Sequence, residues 1–168
     1  MTARAAAAVL VLLAGACAPP TRALRIEMRS EADRAHLVRG WSGFEGADGP
    51  TSLRFCWVEG TSSKVEVGRP ARAGTARLRI RAWPFAFPGL PEQTVQLWVN
   101  SMYVGTRVMT SEPVEYEWAF PAALFQRGGN DLYLLFGRAS RPSDVIPGNG
   151  DTRELAAAVE FLELTTGR

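Results

Sequence analysis

The stretch Ala76-Arg77-Leu78-Arg79-Ile80-Arg81-Ala82 alternates apolar and basic residues without interruption. Successive side chains of a β-strand point to opposite faces of the sheet, so this alternation predicts a strand with one buried and one solvated face. Residues 94–100 and 114–120 show the same period of two. Strands with this pattern are typical of antiparallel sheets that cover a core on one side.

Short apolar runs separated by Gly, Pro, Asn and Asp continue along most of the chain. Residues 132–136 form an unbroken apolar run that indicates a central strand, and residues 64–67 and 106–109 are weaker strand candidates. Residues 121–126 indicate a single helical turn, which the Gly-Gly-Asn sequence at 128–130 closes. Turn residues at intervals of roughly 8–12 residues favour an all-β sandwich or barrel.

The run Leu-Ala-Ala-Ala-Val-Glu-Phe-Leu-Glu-Leu at residues 155–164 fits two structures. Its residues have high helix propensity, and Leu155, Val159 and Leu162 fall at helical spacing. A lone helix at this end is nevertheless out of place in a chain that is otherwise β-rich. We therefore favour a strand at residues 155–164.

The chain begins with Met1-Thr2-Ala3-Arg4 and an apolar run over residues 5–16. A positive charge followed by about a dozen apolar residues is typical of a secretory signal. The run is too short for a transmembrane helix, which needs about 20 apolar residues. We therefore predict a signal peptide at residues 1–16 and export of the remainder.

The sequence Leu-Ala-Gly-Ala-Cys at residues 13–17 resembles the lipobox of bacterial lipoproteins, whose cysteine carries a diacylglycerol. The resemblance implies that Cys17 is lipidated and anchors the protein to a membrane of the bacterial cell envelope, on the periplasmic side or in the outer membrane. The alternative is ordinary signal cleavage beside an unmodified Cys17. We predict a lipidated cysteine and tether at residues 17–36, with a short strand near residues 24–28, and one folded domain at residues 37–166.

The charges of the chain nearly balance. Lys and Arg number 19 and Asp and Glu 17, and removal of Arg4 with the signal leaves 18 basic residues. This composition argues against a nucleic-acid partner, which requires a basic surface. His36 is the only histidine, so no zinc-binding cluster exists and we predict neither metal nor cofactor. Calcium binding by Asp144, Asn149 and Asp151 is less favoured than their use in Asx turns.

Cys56 lies in the apolar run of residues 53–58. A lone cysteine in such a run behaves as a small, buried apolar residue, and we predict that role for Cys56. A disulfide between Cys17 and Cys56 would require Cys17 to be free of lipid.

Three motifs occur in an order and spacing found in a known family. They are Gly40-Trp41-Ser42 with Glu45, Phe55-Cys56-Trp57, and Asp151-Thr152-Arg153-Glu154-Leu155. Two further segments, the turn at residues 99–105 and the corner at residues 120–132, resemble galactose-binding-like jelly rolls. Together the motifs are similar to a jelly-roll module of bacterial envelope proteins, the type appended to membrane glycosyltransferases and sulfatase-like proteins.

This resemblance implies one antiparallel β-sandwich of jelly-roll type, with about eight strands, in a polysaccharide-related setting. Two positions depart from the family pattern. Cys56 stands where the family has arginine, although Arg54, two residues away, is expected to share its face. Ser101 stands where the family's Asn-Gly turn has glycine, which changes the turn chemistry. The resemblance implies no particular reaction, since a fold alone does not specify function.

The resemblance singles out a set of aromatic and charged residues: Trp41, Glu45, Arg54, Trp57, Asp151 and Arg153. In one interpretation the charged members form a buried clamp that fixes the loops, and such a clamp must be well hydrogen-bonded to offset desolvation. In the other, the set binds a sugar, with a tryptophan as platform and the charged groups bonding to hydroxyls. We favour the clamp.

Residues 83–91 are predicted to form an aromatic loop in which Trp83, Phe85 and Phe87 lie among prolines. These rings either stack on sugars or bind a partner, or they fold back and close one end of the sandwich. The arginines of the opening stretch are expected to pair across strands with Glu115 and Glu117. The less favoured alternative is a basic surface, shared with a neighbouring strand at residues 94–100, that grips an anionic glycan.

The leading hypothesis is a non-catalytic binding or accessory module of the cell envelope that engages a glycan or a polysaccharide-assembly partner. The alternative is a protein–protein scaffold at the membrane without a ligand. A hydrolase that uses Glu45 and Asp151 is less favoured. A Ser-His-Asp triad would depend on His36, in the charged segment before the domain, and the chain contains no Gly-x-Ser-x-Gly sequence.

Overall fold

The computed structural model describes residues 23–47, 53–70 and 74–167. The predicted signal peptide at residues 1–16 and the predicted lipidation site Cys17 lie outside the described residues. No helix in the described part of the chain is long and apolar enough to cross a membrane.

Eleven strands, two short helices and one 3₁₀ turn are found in this part of the chain. The strands are β1 (Leu24–Glu27), β2 (Leu37–Arg39), β3 (Glu45–Gly46), β4 (Arg54–Glu59), β5 (Ser62–Gly68), β6 (Thr75–Pro84), β7 (Gln93–Val99), β8 (Met102–Met109), β9 (Val114–Pro121), β10 (Gly129–Phe136) and β11 (Leu155–Gly167). The helices are α1 (Glu31–Arg34) and α2 (Pro142–Val145), and the 3₁₀ turn is Ala122–Leu124, where a single helical turn was expected.

The strands form two antiparallel sheets that pack as a sandwich. The first sheet has the order β3-β4-β11-β6-β9, with β1 also paired to β11, and the second has the order β2-β5-β10-β7-β8. The predicted antiparallel sandwich is confirmed. The strand count exceeds the expected eight partly because β2 and β3 have only three and two residues, too few to show alternation in sequence.

Strand β11 lies at the centre of the first sheet. Along one side it pairs first with β4 and then with β1, and along the other side it pairs with β6. Ala156, Ala157, Ala158 and Val159 are at most 1% exposed, so both faces of the strand are covered. The strand favoured at residues 155–164 is therefore confirmed, and its double coverage explains the continuous apolar run.

The core lies between the sheets and is filled by alternate residues of the strands. In β6 the apolar residues of the opening stretch are buried, while its arginines face outward, as the alternation predicted. Leu97, Trp118 and Leu132 pack into the same core from β7, β9 and β10. Cys56 is fully buried there, and burial raises the pKa of its thiol to about 11.

Trp41 connects the two sheets. Its backbone pairs with Val58 of the first sheet, and its indole N–H donates to the Lys64 carbonyl of the second at 2.9 Å. The preceding Gly40 has a φ of 76°, and a Cβ there would lie 2.1 Å from the Ser62 carbonyl oxygen. The Gly40-Trp41 motif is therefore structural, because only glycine allows this close approach.

The sandwich begins earlier in the chain than predicted. Strand β1 lies in the predicted tether, yet it pairs with β11, and Met28 just after it is fully buried. The described part of the segment 17–36 thus belongs to the fold from Leu24 onward. The short strand predicted near residues 24–28 is thus present as β1, but it belongs to the sandwich and not to a tether.

The turn between β7 and β8 and the corner before β10 are joined by two asparagines. Asn100 adopts the left-handed conformation with a φ of 55°, and its side-chain oxygen accepts the backbone N–H of Asp131 at 3.0 Å. Its amide also donates to Asn130 Oδ1 at 3.2 Å. Since Asn100 takes the positive φ, Ser101 can replace the expected glycine of this turn.

Candidate functional site

The outer face of the first sheet carries large rings from β4 and β6. Phe55 and Trp57 alternate with buried core residues in β4, and Trp83 does so in β6. Strand β11 lies between them, and its Ala158 pairs with both Trp57 and Trp83. The small side chain of Ala158 provides the floor over which these rings meet.

Five rings form a continuous cluster, which we name the aromatic face: Phe55, Trp57, Trp83, Phe85 and Phe87. Phe55 lies 5.6 Å from Trp57 and 5.3 Å from Trp83, and Trp57 lies 5.9 Å from Phe85, as measured between ring centroids. Phe85 and Phe87 follow at 5.8 Å. The first three contacts are edge-to-face, which suits the ring quadrupoles, and all five rings are half-buried.

The predicted aromatic loop begins later than expected. Trp83 and Pro84 belong to β6, and the Phe85 N–H donates to the Ala156 carbonyl at 3.0 Å, which extends the contact with β11. Phe85 contacts Trp57 and Phe87 contacts Phe85, so these rings continue the aromatic face and do not plug the end of the sandwich.

Arg153 gathers three carboxylates beside the aromatic face. Its Nη2 lies 2.7 Å from Asp151 Oδ2 and its Nε 3.1 Å from both Asp151 oxygens. Its Nη1 lies 2.6 Å from Glu45 Oε1 and 3.8 Å from Glu59 Oε1. We call these four residues the Arg153 cluster. Glu45 pairs in register with Phe55, and therefore the cluster borders the aromatic face.

The side chains of the Arg153 cluster are partly exposed to solvent. Hydrogen bonds from the Arg153 side chain and backbone hold the pKa of Asp151 below its usual value. In return, Asp151 and Glu45 raise the pKa of Arg153. The structure thus brings Glu45, Asp151 and Arg153 together as the clamp interpretation predicted, although the Arg153 side chain is 38% exposed and not buried.

Two residues singled out with this set lie elsewhere. Trp41 is 7% exposed and belongs to the core. Arg54 alternates with Phe55 in β4, which places it on the face of Cys56 and not on that of Trp57. Sequence reasoning also missed Phe55, although its spacing from Trp57 in the same apolar run indicated a shared face.

The arginines of the opening stretch pair with carboxylates on the same face. Arg77 binds Glu117 at 2.8 Å and Arg79 binds Glu115 at 2.9 Å, so the expected cross-strand pairing is confirmed. Arg79 also binds Glu163 and Arg81 binds Glu160, both of β11. The alternative basic surface is wrong, because β6 and β7 belong to different sheets.

The late loop uses its polar residues for turn formation. Asn149 Oδ1 accepts the backbone N–H of Asp151 at 2.8 Å, an Asx turn as expected. The Asp151 carboxylate is bound to Arg153. Among the residues the structure describes, no group of three His, Cys, Asp or Glu side chains is placed to hold a metal ion.

Comparison with known proteins gives matches in structure only. No family model matches the chain, and no curated protein sequence matches it. A family 35 carbohydrate-binding module from Clostridium thermocellum superposes with a TM-score of 0.52 at 9% identity, over 85% of this chain and 98% of that one. The native structure of a family 35 carbohydrate-binding module from the same organism superposes with a TM-score of 0.50 at 13% identity, over 85% of this chain and 97% of that one.

A third similar structure is the C-terminal family 6 carbohydrate-binding module of a marine laminarinase from Zobellia galactanivorans. Its TM-score is 0.50 at 7% identity, over 86% of this chain and 100% of that one. At these identities the likeness concerns the arrangement of the strands. The chain therefore has the two-sheet antiparallel jelly-roll fold that these modules share.

Proposed function

We propose that this protein is a non-catalytic carbohydrate-binding module and that the aromatic face is its glycan platform. Five half-buried rings beside a cluster of hydrogen-bonding charged groups carry the proposal. Sugar rings offer apolar C–H faces that pack on aromatic rings, and their hydroxyls bond to adjacent polar groups. The shared fold of modules whose own names describe carbohydrate binding supports the same assignment.

The charges beside the aromatic face favour a neutral glycan. The Arg153 cluster contains one arginine and three carboxylates, Glu45, Glu59 and Asp151. The arginines farther along this face are paired with glutamates. An anionic polysaccharide would therefore meet excess negative charge, whereas carboxylate oxygens readily accept hydrogen bonds from neutral hydroxyls.

Hydrolysis by Glu45 and Asp151 does not fit this geometry. Arg153 lies between the two carboxylates and binds both. The pKa of Asp151 is lowered, whereas a general acid for glycoside cleavage requires a raised pKa. Both carboxylates thus serve to position Arg153 beside the aromatic face.

The test is affinity electrophoresis of the full-length chain carrying Cys17→Ser, in gels containing laminarin, glucomannan or xylan, with polygalacturonate as the anionic comparison. We expect neutral glycans to retard the protein and polygalacturonate not to. Trp83→Ala should reduce the retardation, whereas Val38→Ala, which alters an exposed apolar residue of β2, should leave it unchanged. Equal migration in all gels would contradict glycan binding and favour a scaffold role.

We further propose that Cys17 is lipidated and displays the module at the bacterial cell envelope. The support is the signal-like layout of residues 1–16 and the lipobox-like residues before Cys17. Mass spectrometry of the mature protein extracted from membranes should find an acylated Cys17 at its N-terminus. An unacylated N-terminus near residue 17 would contradict the anchor and leave the glycan proposal untouched.

A further inference from the structure

The outer face of the second sheet carries a row of three rings that the sequence analysis did not connect. The register pairs Tyr103 of β8 with Trp98 of β7, Trp98 with Tyr133 of β10, and Tyr133 with Lys64 of β5. Directly paired residues of antiparallel strands point to the same face. We name this set, Tyr103-Trp98-Tyr133-Lys64, the transverse row, because it crosses four strands perpendicular to their direction.

The transverse row is open to solvent at its β8 end. Tyr103 is 51% exposed, and Trp98 and Tyr133 are half-buried. The centroids of the Tyr103 and Trp98 rings are 5.4 Å apart, with a 59° angle between the planes. The alternate residues of β7 and β10 point into the core, so the strands hold these rings on a rigid base.

Neutral polar groups flank the first two rings. The Trp98 indole N–H donates to Gln96 Oε1 at 3.2 Å, and the Tyr103 hydroxyl bonds to Thr106 Oγ1 at 2.7 Å. Gln96 and Thr106 are themselves paired in register and lie beside the row. Amide and hydroxyl groups next to aromatic rings are suited to sugar hydroxyls, since both can donate and accept hydrogen bonds.

The third ring, that of Tyr133, is flanked by an ion pair between Lys64 and Asp131. Lys64 Nζ lies 2.9 Å from Asp131 Oδ1, and the Tyr133 hydroxyl donates to Asp131 Oδ2 at 3.2 Å. Both side chains remain partly exposed, at 23% for Lys64 and 31% for Asp131. Glu66 and Arg39 pair in register with Asp131 and Lys64 on the same face, so two acidic and two basic side chains balance at this end of the row.

We propose that the transverse row is a second glycan-binding site, for a linear neutral polysaccharide that runs across the strands. Adjacent strands are separated by about 4.8 Å, close to the length of one sugar unit in an extended chain, so successive rings can underlie successive sugars. The inference rests on the proposed carbohydrate-binding function but concerns the opposite sheet from the aromatic face. A module with both sites would bind two polysaccharide segments at once.

Calorimetric titration with glucomannan and xylan oligosaccharides tests this site in the full-length Cys17→Ser chain. We expect two binding sites per chain in the wild-type background, one after Tyr103→Ala, one after Trp83→Ala and none after both substitutions. Val108→Ala is the matched control, because Val108 is also on β8 and 54% exposed but lies off the row. Trp98→Phe keeps a ring within the row and should weaken the second site less than Tyr103→Ala.

The outcomes separate the two proposals. If Tyr103→Ala and Trp98→Phe both bind as the parent does, while Trp83→Ala loses all binding, the second site is overturned and the aromatic face stands. If only the variants of the transverse row lose binding, the proposal of a glycan site on the aromatic face is overturned and that of a site on the transverse row is supported. Absence of binding by the parent protein overturns both. Sedimentation that shows a dimer dissociated by Tyr103→Ala, without an effect on glycans, assigns the row to a second copy of the chain and overturns the proposal.

Discussion

Arg153 Nη1 lies 2.6 Å from Glu45 Oε1, although 108 residues separate them in the chain. The same guanidinium holds Asp151 with Nε and Nη2, so one side chain joins the late loop to β3 at the margin of the first sheet. The contact is local in space and remote in sequence. Its contribution to the fold can be measured separately from any role in ligand binding.

Removal of the Arg153 side chain should lower the free energy of unfolding by about 1 kcal/mol, because the pairs are hydrogen-bonded but partly exposed. Arg153→Lys should recover little of this loss, since an ammonium cannot reproduce the forked geometry. Urea denaturation measures both. The more exposed pair Arg141–Glu154, with side chains 51% and 54% exposed, provides the control, and Arg141→Ala should change stability less. An Arg153→Ala curve that overlies the wild type would show that the cluster is dispensable for folding.

The same ion pair gives stability a specific dependence on pH. The pKa of Asp151 is lower in the folded protein than its ordinary value of 3.8, because Arg153 binds the carboxylate. The contribution is therefore present above pH 3.8 and is lost as the pH falls below it through the folded-state pKa. In Asp151→Asn the difference from wild type should shrink on acidification, as measured by thermal melts at successive pH values. A difference that is constant with pH would refute this linkage.

Cys56 should be unreactive in the folded protein, because its thiol is fully buried and its pKa is raised to about 11. In a Cys17→Ser chain, Cys56 is the only thiol, and its reaction with Ellman's reagent should be slow in buffer and fast in urea. Cys56→Ser should lower the free energy of unfolding by about 1–3 kcal/mol, since it buries a more strongly hydrated hydroxyl with only the Arg34 side chain as a polar neighbour. Cys56→Ala is the control variant, and it should lower the free energy of unfolding less than Cys56→Ser. Equal labelling rates in buffer and urea would mean that the thiol is accessible.

Asn130 is a buried polar residue of the second sheet whose replacement should strongly destabilise the protein. It is 1% exposed, and its side chain bonds to the Gln126 N–H at 2.6 Å, the Gly128 carbonyl at 3.1 Å and Asn100 at 3.2 Å. Asn130→Ala leaves these groups without their partner and should lower the free energy of unfolding by about 2–4 kcal/mol, because several hydrogen bonds are lost at once. Asn149→Ala removes a single Asx-turn bond on an exposed loop and should cost less than about 1 kcal/mol. Similar unfolding midpoints for the two variants would contradict the assignment.

The strands that sequence predicted well are those with one solvated face. Strand β6 alternates buried and exposed residues over its whole length because its arginines face the solvent. Strands β7 and β9 show the same alternation, with other side chains on their outer faces. Strand β11 gave no such signal because side chains cover both of its faces. Strands β2 and β3 are too short to show a pattern, and the predicted domain start at residue 37 left β1 outside the domain although a strand was expected there.

The candidate site was only partly predictable. Grouping Glu45 with Asp151 and Arg153 depended on a resemblance of motifs, since Glu45 is more than 100 residues away from them in the chain. The contact between Phe55 and Trp83 depends on β11, whose pairing with β4 and β6 is set by contacts distant in sequence. Alternation in β4 alone, however, was sufficient to separate Arg54 from Trp57.

The position of β11 has a consequence for the order in which the chain can fold. Leu24 pairs with Leu164, so β1 has no partner among the described strands until residues 161–164 have been synthesised. Strands β4 and β6 can pair earlier with β3 and β9, but they are joined to each other only through β11. Pairings of such long range make folding slow relative to helical proteins of similar size. The first sheet therefore cannot assemble around its central strand until residues 155–167 have been synthesised.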